Sequence, residues 1–210
     1  MLDSTVKPYI EKPINNAAKA LVEKGFTPAQ ITMGGFIIGV LAAFAAGMQW
    51  YLIGLILVIL NRLSDELDDA AAKIEERTQF GVYLDVITNF IFYGLVVLMV
   101  GMGTGQNLGA AFVLFCFMGM SSTYFASVIL GTDQKEVKTS DGITFSPGSL
   151  VEGTETSIYL LLIFLFPGAF AAISMIFGFM CLVTMGGRIM ETRDQLTGPS
   201  KSEKSEDLSE

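Results

Sequence analysis

Charged side chains are absent from residues 25–61, 86–132 and 156–187, and apolar residues there run on without a polar face. A bilayer core is crossed by about 20 apolar residues of helix. Each stretch is therefore too long for one span and suits two. Breaks at Gly47-Met48-Gln49, at the Gly-rich segment 101–107 and at Phe166-Pro167-Gly168 divide the stretches into three helical hairpins. The pattern predicts an all-α integral membrane protein with six transmembrane helices. They are expected over 28–47, from 50 past Leu60, over 79–100, 108–131 and 151–166, and from the last turn to 191. Trp50 and Tyr51 lie where interfacial aromatics belong. A soluble enzyme and a single-anchor protein are both excluded.

The first 26 residues lack the apolar core of a secretory signal. Ile14, Ala17, Ala18, Leu21 and Val22 recur at helical spacing beside Lys12, Lys19, Glu23 and Lys24. That is the pattern of an amphipathic helix on the cytoplasmic surface, ended by Gly25. Thr27-Pro28 then reads as an N-cap followed by proline at the first helical position. The membrane domain is expected over 27–192, with a polar cytoplasmic loop at 132–150. An acidic tail over 193–210 is expected to be disordered.

Composition sharpens this picture. The chain is 51% hydrophobic and 16% charged, with a net charge of −8, which disfavours nucleic acid as a partner. Every Lys and Arg falls in 7–24, 62–77, 135–138 or 188–204, and none lies at the three hairpin tips. Six spans put all four segments on one face, and basic residues stay cytoplasmic. The expected location is the cytoplasmic membrane with both termini inside. Cys116 and Cys181 read as small buried apolar residues. Histidine is absent, so acid–base and metal chemistry would fall to carboxylates.

Those carboxylates are concentrated in N61RLSDELDDAAAKIEERTQFGVYLDVITN89. Asp65, Asp68 and Asp69 share one face of a helix, and Asp85 opens the next helix with Gly81 and Asn89 one turn to either side. If the two helices pack side by side, Asp65, Asp68 and Asp85 converge at the cytoplasmic edge of the membrane. Three carboxylates and an amide form an all-oxygen site suited to Mg²⁺ or Mn²⁺. Against this stands the plainer reading of a solvated acidic loop, which fits Glu75 and Glu76 better. Arg62 can snorkel or bind a phosphate, and Arg188 can meet a helix C-terminus or an acceptor's phosphate. Glu152 and Glu155 suit the start of a helix, with an active-site role as the alternative.

The segment resembles the signature of the CDP-alcohol phosphotransferase family, D-x2-D-G-x2-A-R, a spacer, then G-x3-D-x3-D. Asp65, Asp68, Ala72, Gly81 and Asp85 match it. Thr27-Pro28-Ala29-Gln30-Ile31-Thr32 is similar to the opening of many members. Asn61-Arg62-Leu63 and Glu152-Gly153-Thr154-Glu155-Thr156 look like stretches of a bacterial branch. The resemblance implies six helices, one or two Mg²⁺ or Mn²⁺ ions, and attack of an acceptor alcohol on a CDP-alcohol with release of CMP. It makes Asp65, Asp68, Asp85 and Asn89 the metal ligands and gives Asp85 and Asn89 the catalytic positions. It places Asp69, Lys73 and Gly81 at the substrate, and Arg62 and Arg188 remain the further candidates for a phosphate contact on their position alone.

The chain departs from the signature at three places. The motif glycine is Asp69, the motif arginine is Lys73, and the fourth aspartate, the proposed base, is Asn89. Lysine keeps the charge without the bidentate fork, and an amide cannot accept the proton. The implied reading is a divergent phosphotransferase of phospholipid or polar-lipid synthesis acting among membrane lipids, with a homodimer left open. The alternative is a catalytically impaired member serving as a membrane binding or partner subunit. A small cation or metabolite carrier is a third reading.

Overall fold

The computed structural model describes residues 3–130 and 153–197, and every regular element among them is helical. The helices are α1 (Asp3–Glu23), α2 (Pro28–Gly47), α3 (Tyr51–Ala72), α4 (Gln79–Thr104), α5 (Asn107–Ile129), α6 (Gly153–Leu165) and α7 (Phe170–Thr197), with a 3-10 turn at Pro167–Ala169. The loop expected at 132–150, Glu152, and the tail beyond 197 lie outside the described residues. Residues 193–197, assigned to the tail by their polarity, continue α7 instead.

Four elements are long and apolar enough to cross a bilayer on length and composition: α2, α4, α5, and α7 with its preceding turn. In α3 the apolar half gives way to the acidic half after Leu60, and α6 has 13 residues, so neither meets that measure. Large side chains such as Ile37, Leu41, Phe44, Leu52, Ile53 and Ile56 are exposed, as lipid-facing residues are. The protein is an all-α membrane protein.

The sequence marks the helix starts well. Gly25 takes a positive φ of 87° and ends the first helical stretch, and the Thr27 amide donates to the Gln30 side chain at 3.1 Å as α2 begins. Thr78 caps α4 by accepting the Gly81 amide at 3.0 Å. The expected outer turn at 101–107 is shorter than its glycines suggest. α4 continues to Thr104, and only Gly105, at φ 71°, breaks it. Gly101 and Gly103 are contact positions instead: a Cβ on Gly103 would lie 2.6 Å from the Ala46 carbonyl oxygen.

Residues up to 114 together with 153–176 form one compact unit; the described residues of 115–130 and 177–197 form a second. In the first, α2 packs closely against both α3 and α4, while α3 and α4 make little backbone contact with each other. This corrects the expectation that the two motif-bearing helices lie side by side. The reason is the surface of α2, where Gly35 and Gly39 leave room for the side chains of Ser64, Asn61 and Phe92. α3 and α4 reach each other through side chains across that glycine face. The amphipathic α1 is likewise not a free surface helix. Its Ala18 is fully buried in a cluster with Ile31, Ala70 and Ala71, flanked by Ile14, Leu21, Val22 and Leu67.

At the other end of this unit polar side chains tie the turns. Gln49 donates to the Gly103 carbonyl at 2.6 Å, and Gln106 accepts the Ala171 amide at 2.7 Å. Tyr159 and Ser174 share a buried hydrogen bond of 2.9 Å. The second unit carries an edge-on pair of Phe117 and Phe177 and buries Cys116 and Cys181 as free thiols.

Two outcomes follow from this arrangement. Gly39→Leu would press on Phe92 and Asn61 and is expected to cost about 1–3 kcal/mol, read as a lower melting temperature in detergent. An unchanged midpoint would mean that α2 and its neighbours have space there. The one-sided placement of Lys and Arg predicts an outward-facing α4–α5 turn, so a cysteine at the exposed Asn107 is expected to react with an impermeant thiol reagent on intact cells. Reaction only after permeabilisation would invert the topology.

Candidate functional site

The acidic half of α3, the 73–78 connection and the first turns of α4 meet at one end of the first unit. Asp68 lies deepest, its side chain 1% exposed. The Thr32 hydroxyl donates to Asp68 Oδ2 at 2.7 Å, so α2 contributes directly to the site. Arg77 reaches back from the connection and places its guanidinium among three carboxylates. Nη2 is 2.8 Å from Asp68 Oδ2 and 2.9 Å from Asp69 Oδ1, and Nη1 is 3.3 Å from Asp85 Oδ2. Burial alone would lower the Arg77 pKa, but Asp68, Asp85 and Asp69 outweigh it and hold the group above its ordinary value.

A second guanidinium organises the layer beneath. Arg62 is 2.9 Å from Asp65 Oδ2, one turn further along α3. It also donates to the Tyr93 hydroxyl at 2.7 Å, to Asn89 Oδ1 at 3.1 Å and to Asn61 Oδ1 at 3.0 Å. Its carbon centre lies 4.8 Å from the Phe92 ring centre and 5.0 Å from that of Tyr93, a cation–π setting. Asn61 in turn donates to the Gly35 carbonyl at 2.8 Å. Asn89 completes the chain by donating its amide NH₂ to Asp85 Oδ1 at 2.9 Å.

The residues expected at the site are thus divided. Asp68 and Asp85 converge, and Asp69 joins them, although its side chain is 65% exposed. Asp65, expected with Asp68 and Asp85, pairs with Arg62 instead, because that residue sits one turn away on its own helix. Asn89 bridges Asp85 and Arg62, with its oxygen turned to the guanidinium. Gly81 is buried in the first turn of α4, near Ala29 at the start of α2. Lys73 caps the end of α3 and is exposed. Arg188 belongs to the second unit, where it lies over the Tyr124 ring at 5.2 Å. Arg77 and Tyr93 are not singled out by the sequence, and Thr32 enters there only as the last residue of the opening resemblance at 27–32. The one hint of Arg77 is a second cation in a spacer surrounded by acids.

Electrostatics favour a further cation. Among the described residues the ion pairs of Asp65, Asp68, Asp69 and Asp85 are with Arg62 and Arg77, so with all four acids ionised the formal excess is two negative charges, the charge of one divalent ion. Asp68 Oδ1 and Arg77 Nε are buried without a hydrogen-bond partner, and each such group costs about 1–3 kcal/mol. An orphaned, buried carboxylate oxygen inside an all-oxygen set fits Mg²⁺ or Mn²⁺. Among the described residues no three acids close around a single ion, and the Arg77 guanidinium lies among them.

Comparison with known proteins shows the family to which the chain belongs. The family model for CDP-alcohol phosphatidyltransferase matches residues 26–185. The chain is 36% identical to inner membrane protein YnjF of Escherichia coli over 195 residues, covering 90% of this chain and 94% of that one. It is 31% identical to archaetidylinositol phosphate synthase of Pyrococcus horikoshii over 83 residues, 39% of this chain and 44% of that one. Its fold is similar to that of phosphatidylinositol phosphate synthase PgsA1 of Mycobacterium tuberculosis with CDP-DAG bound, at a TM-score of 0.68 and 19% identity over 86% of this chain and 93% of the other. A structure of that synthase in complex with manganese and citrate superposes with a TM-score of 0.67, at 19% identity over 85% and 88% of the two chains. With its six-helix array, α2–α7, and the acidic segment spanning α3 and α4, this chain belongs to the CDP-alcohol phosphatidyltransferase family.

Proposed function

We propose that the protein transfers a substituted phosphate from a CDP-alcohol to an acceptor alcohol, releasing CMP, in phospholipid or polar-lipid synthesis at the cytoplasmic face of the membrane. The observation that carries this reading is the buried Asp68 carboxylate, with one oxygen unpartnered, beside Asp69 and Asp85 at the end of an apolar helix bundle. Asp68 and Asp85 would hold Mg²⁺ or Mn²⁺, with Asp65 and Asp69 as the adjoining carboxylates. The ion, when bound, supplies charge stabilisation to the phosphates as transfer proceeds. Thr32 fixes the Asp68 rotamer, and Asn89 fixes that of Asp85. Lys73, exposed at the end of α3, and Arg77 are the cations within reach of the entry side for a diphosphate.

The proton of the acceptor alcohol needs a carboxylate. Asn89 cannot take it, because its oxygen already accepts from Arg62 and its nitrogen carries hydrogens toward Asp85. Asp69, the most exposed acid of the cluster but paired with Arg77, serves at best as an inefficient substitute. That same locked amide favours a second reading, a family member that binds nucleotide and lipid without turning them over.

Two experiments separate these readings. Purified protein supplied with Mn²⁺, CDP-diacylglycerol and a panel of acceptor alcohols is expected to release CMP, and Mn²⁺ is expected to raise its melting temperature by mass action. Asp68→Ala should abolish both effects; retention of both would remove Asp68 from the metal set. Asn89→Asp returns a proton acceptor and is expected to raise CMP release by ~10²-fold or more, within the range of general-base help. No change on a measurable wild-type rate would show that another carboxylate already serves. No CMP from either protein, with Mn²⁺ still stabilising both, would establish the non-catalytic reading.

A further inference from the structure

Arg77 is the residue that the family resemblance does not explain. It is on neither helix of the signature, yet its guanidinium lies among Asp68, Asp69 and Asp85, within 2.8–3.3 Å of each. The same residue reaches Asp68 Oδ2, the oxygen that Thr32 also holds, and Asp85 Oδ2, the oxygen that Asn89 leaves free. Asp68, with its Oδ1 unpartnered, and Asp85 are the carboxylates a divalent ion would use, and the guanidinium lies between them. A guanidinium bridging them and an ion about 2.0–2.1 Å from each ligand cannot occupy the same place.

The fit of Arg77 is also incomplete. Its Nε is buried without a partner, and so is Asp68 Oδ1 across the ion pair. A side chain that was the permanent filling of this site would be expected to satisfy both. The connection that carries it, residues 73–78, is short and outside the helices, so a change of rotamer moves the charge without disturbing α3 or α4. With Arg77 in place no three acids among the described residues are grouped closely enough to share one ion, and its withdrawal would remove the cation that pairs with Asp68, Asp69 and Asp85.

We propose that Arg77 is the resident counter-cation of the carboxylate site, exchanging with the divalent metal and thereby setting how much metal the protein requires. The inference rests on the metal-binding part of the function proposed above. In the metal-free protein Arg77 neutralises Asp68, Asp69 and Asp85; when the ion binds, the guanidinium turns outward to the exposed side of the connection. There it adds a positive charge at the entry side, where an anionic diphosphate approaches. Metal loading and substrate attraction are coupled in this way through one side chain.

The test is a Mn²⁺ titration of the full-length protein in detergent, followed by the paramagnetic resonance of free Mn²⁺, with melting curves recorded in parallel. Arg77→Gln keeps a polar side chain and removes the competing charge. It is expected to bind Mn²⁺ about 10-fold more tightly than the wild type or better, as a competing unit charge a few ångströms away demands. The metal-free variant should melt below the metal-free wild type and gain more from Mn²⁺. Arg77→Lys, whose ammonium spans fewer oxygens, should bind with intermediate affinity. If Arg77→Gln folds only with metal present, the lysine variant carries the comparison. Equal or weaker Mn²⁺ affinity in the variants, with clear binding by the wild type, would overturn the exchange and leave the metal reading intact. Absence of Mn²⁺ binding from wild type and variants alike would overturn the metal reading, and the exchange with it.

Discussion

Negative charge concentrated at the end of an apolar helix bundle has to be balanced, and most of the local structure is arranged around that need. Unit charges 4 Å apart interact by roughly 4 kcal/mol at the effective dielectric near a protein surface. Four carboxylates on two helices would drive α3 and α4 apart if left alone. Two guanidiniums hold them together, and each does so across elements. Arg62 links α3 to Asn89 and Tyr93 of α4, and Arg77 links both helices to the connection between them. The remaining formal excess of negative charge is what the proposed divalent cation would balance.

The balance depends in turn on α2. Because α3 and α4 do not lie against each other, their side chains meet only where α2 is thin. Gly35 and Gly39 supply that thinness, and Asn61 fills it, holding the Gly35 carbonyl with one end and Arg62 with the other. Small residues let helices approach closely in a bilayer. Here they also let a charged network pass from one helix to another over a third. Thr32, one turn before Gly35, continues this line to Asp68. The opening turn of α2 is therefore part of the site as well as the start of a helix.

The three departures from the family signature have different structural consequences. Asp69 stands where the signature has glycine, and it is absorbed as a partner of Arg77. Lys73 stands where the signature has arginine, and it is exposed at the end of α3. Asn89 stands where the signature has its last aspartate, and it removes a repulsion: a carboxylate there would lie against Asp85 Oδ1. In this chain the amide mediates between Asp85 and Arg62, so the network is quieter than four aspartates would make it. A loss of one basic group and a gain in local order come from the same substitution.

Uncharged runs, paired turns and caps determine the helices from sequence alone, because helix ends depend on a few neighbouring residues and membrane spans on length. Thr27-Pro28 and Gly25 mark their boundaries correctly. The convergence of Asp68 and Asp85 is equally legible, since the end of one helix and the start of the next bring them to the same end of the bundle, where both meet Arg77. Tertiary structure decided what local pattern cannot hold. It put α2 between α3 and α4, a matter of which glycine faces which side chain. It folded α1 onto the acidic half of α3, where an amphipathic face alone does not say whether protein or lipid covers it. It turned Gly101 and Gly103 from loop residues into contacts. Above all it divided the acids between two arginines, giving Asp65 to Arg62 and the others to Arg77. Ion pairing is settled by distance in space, and a residue in a spacer shows none of that in its spacing along the chain.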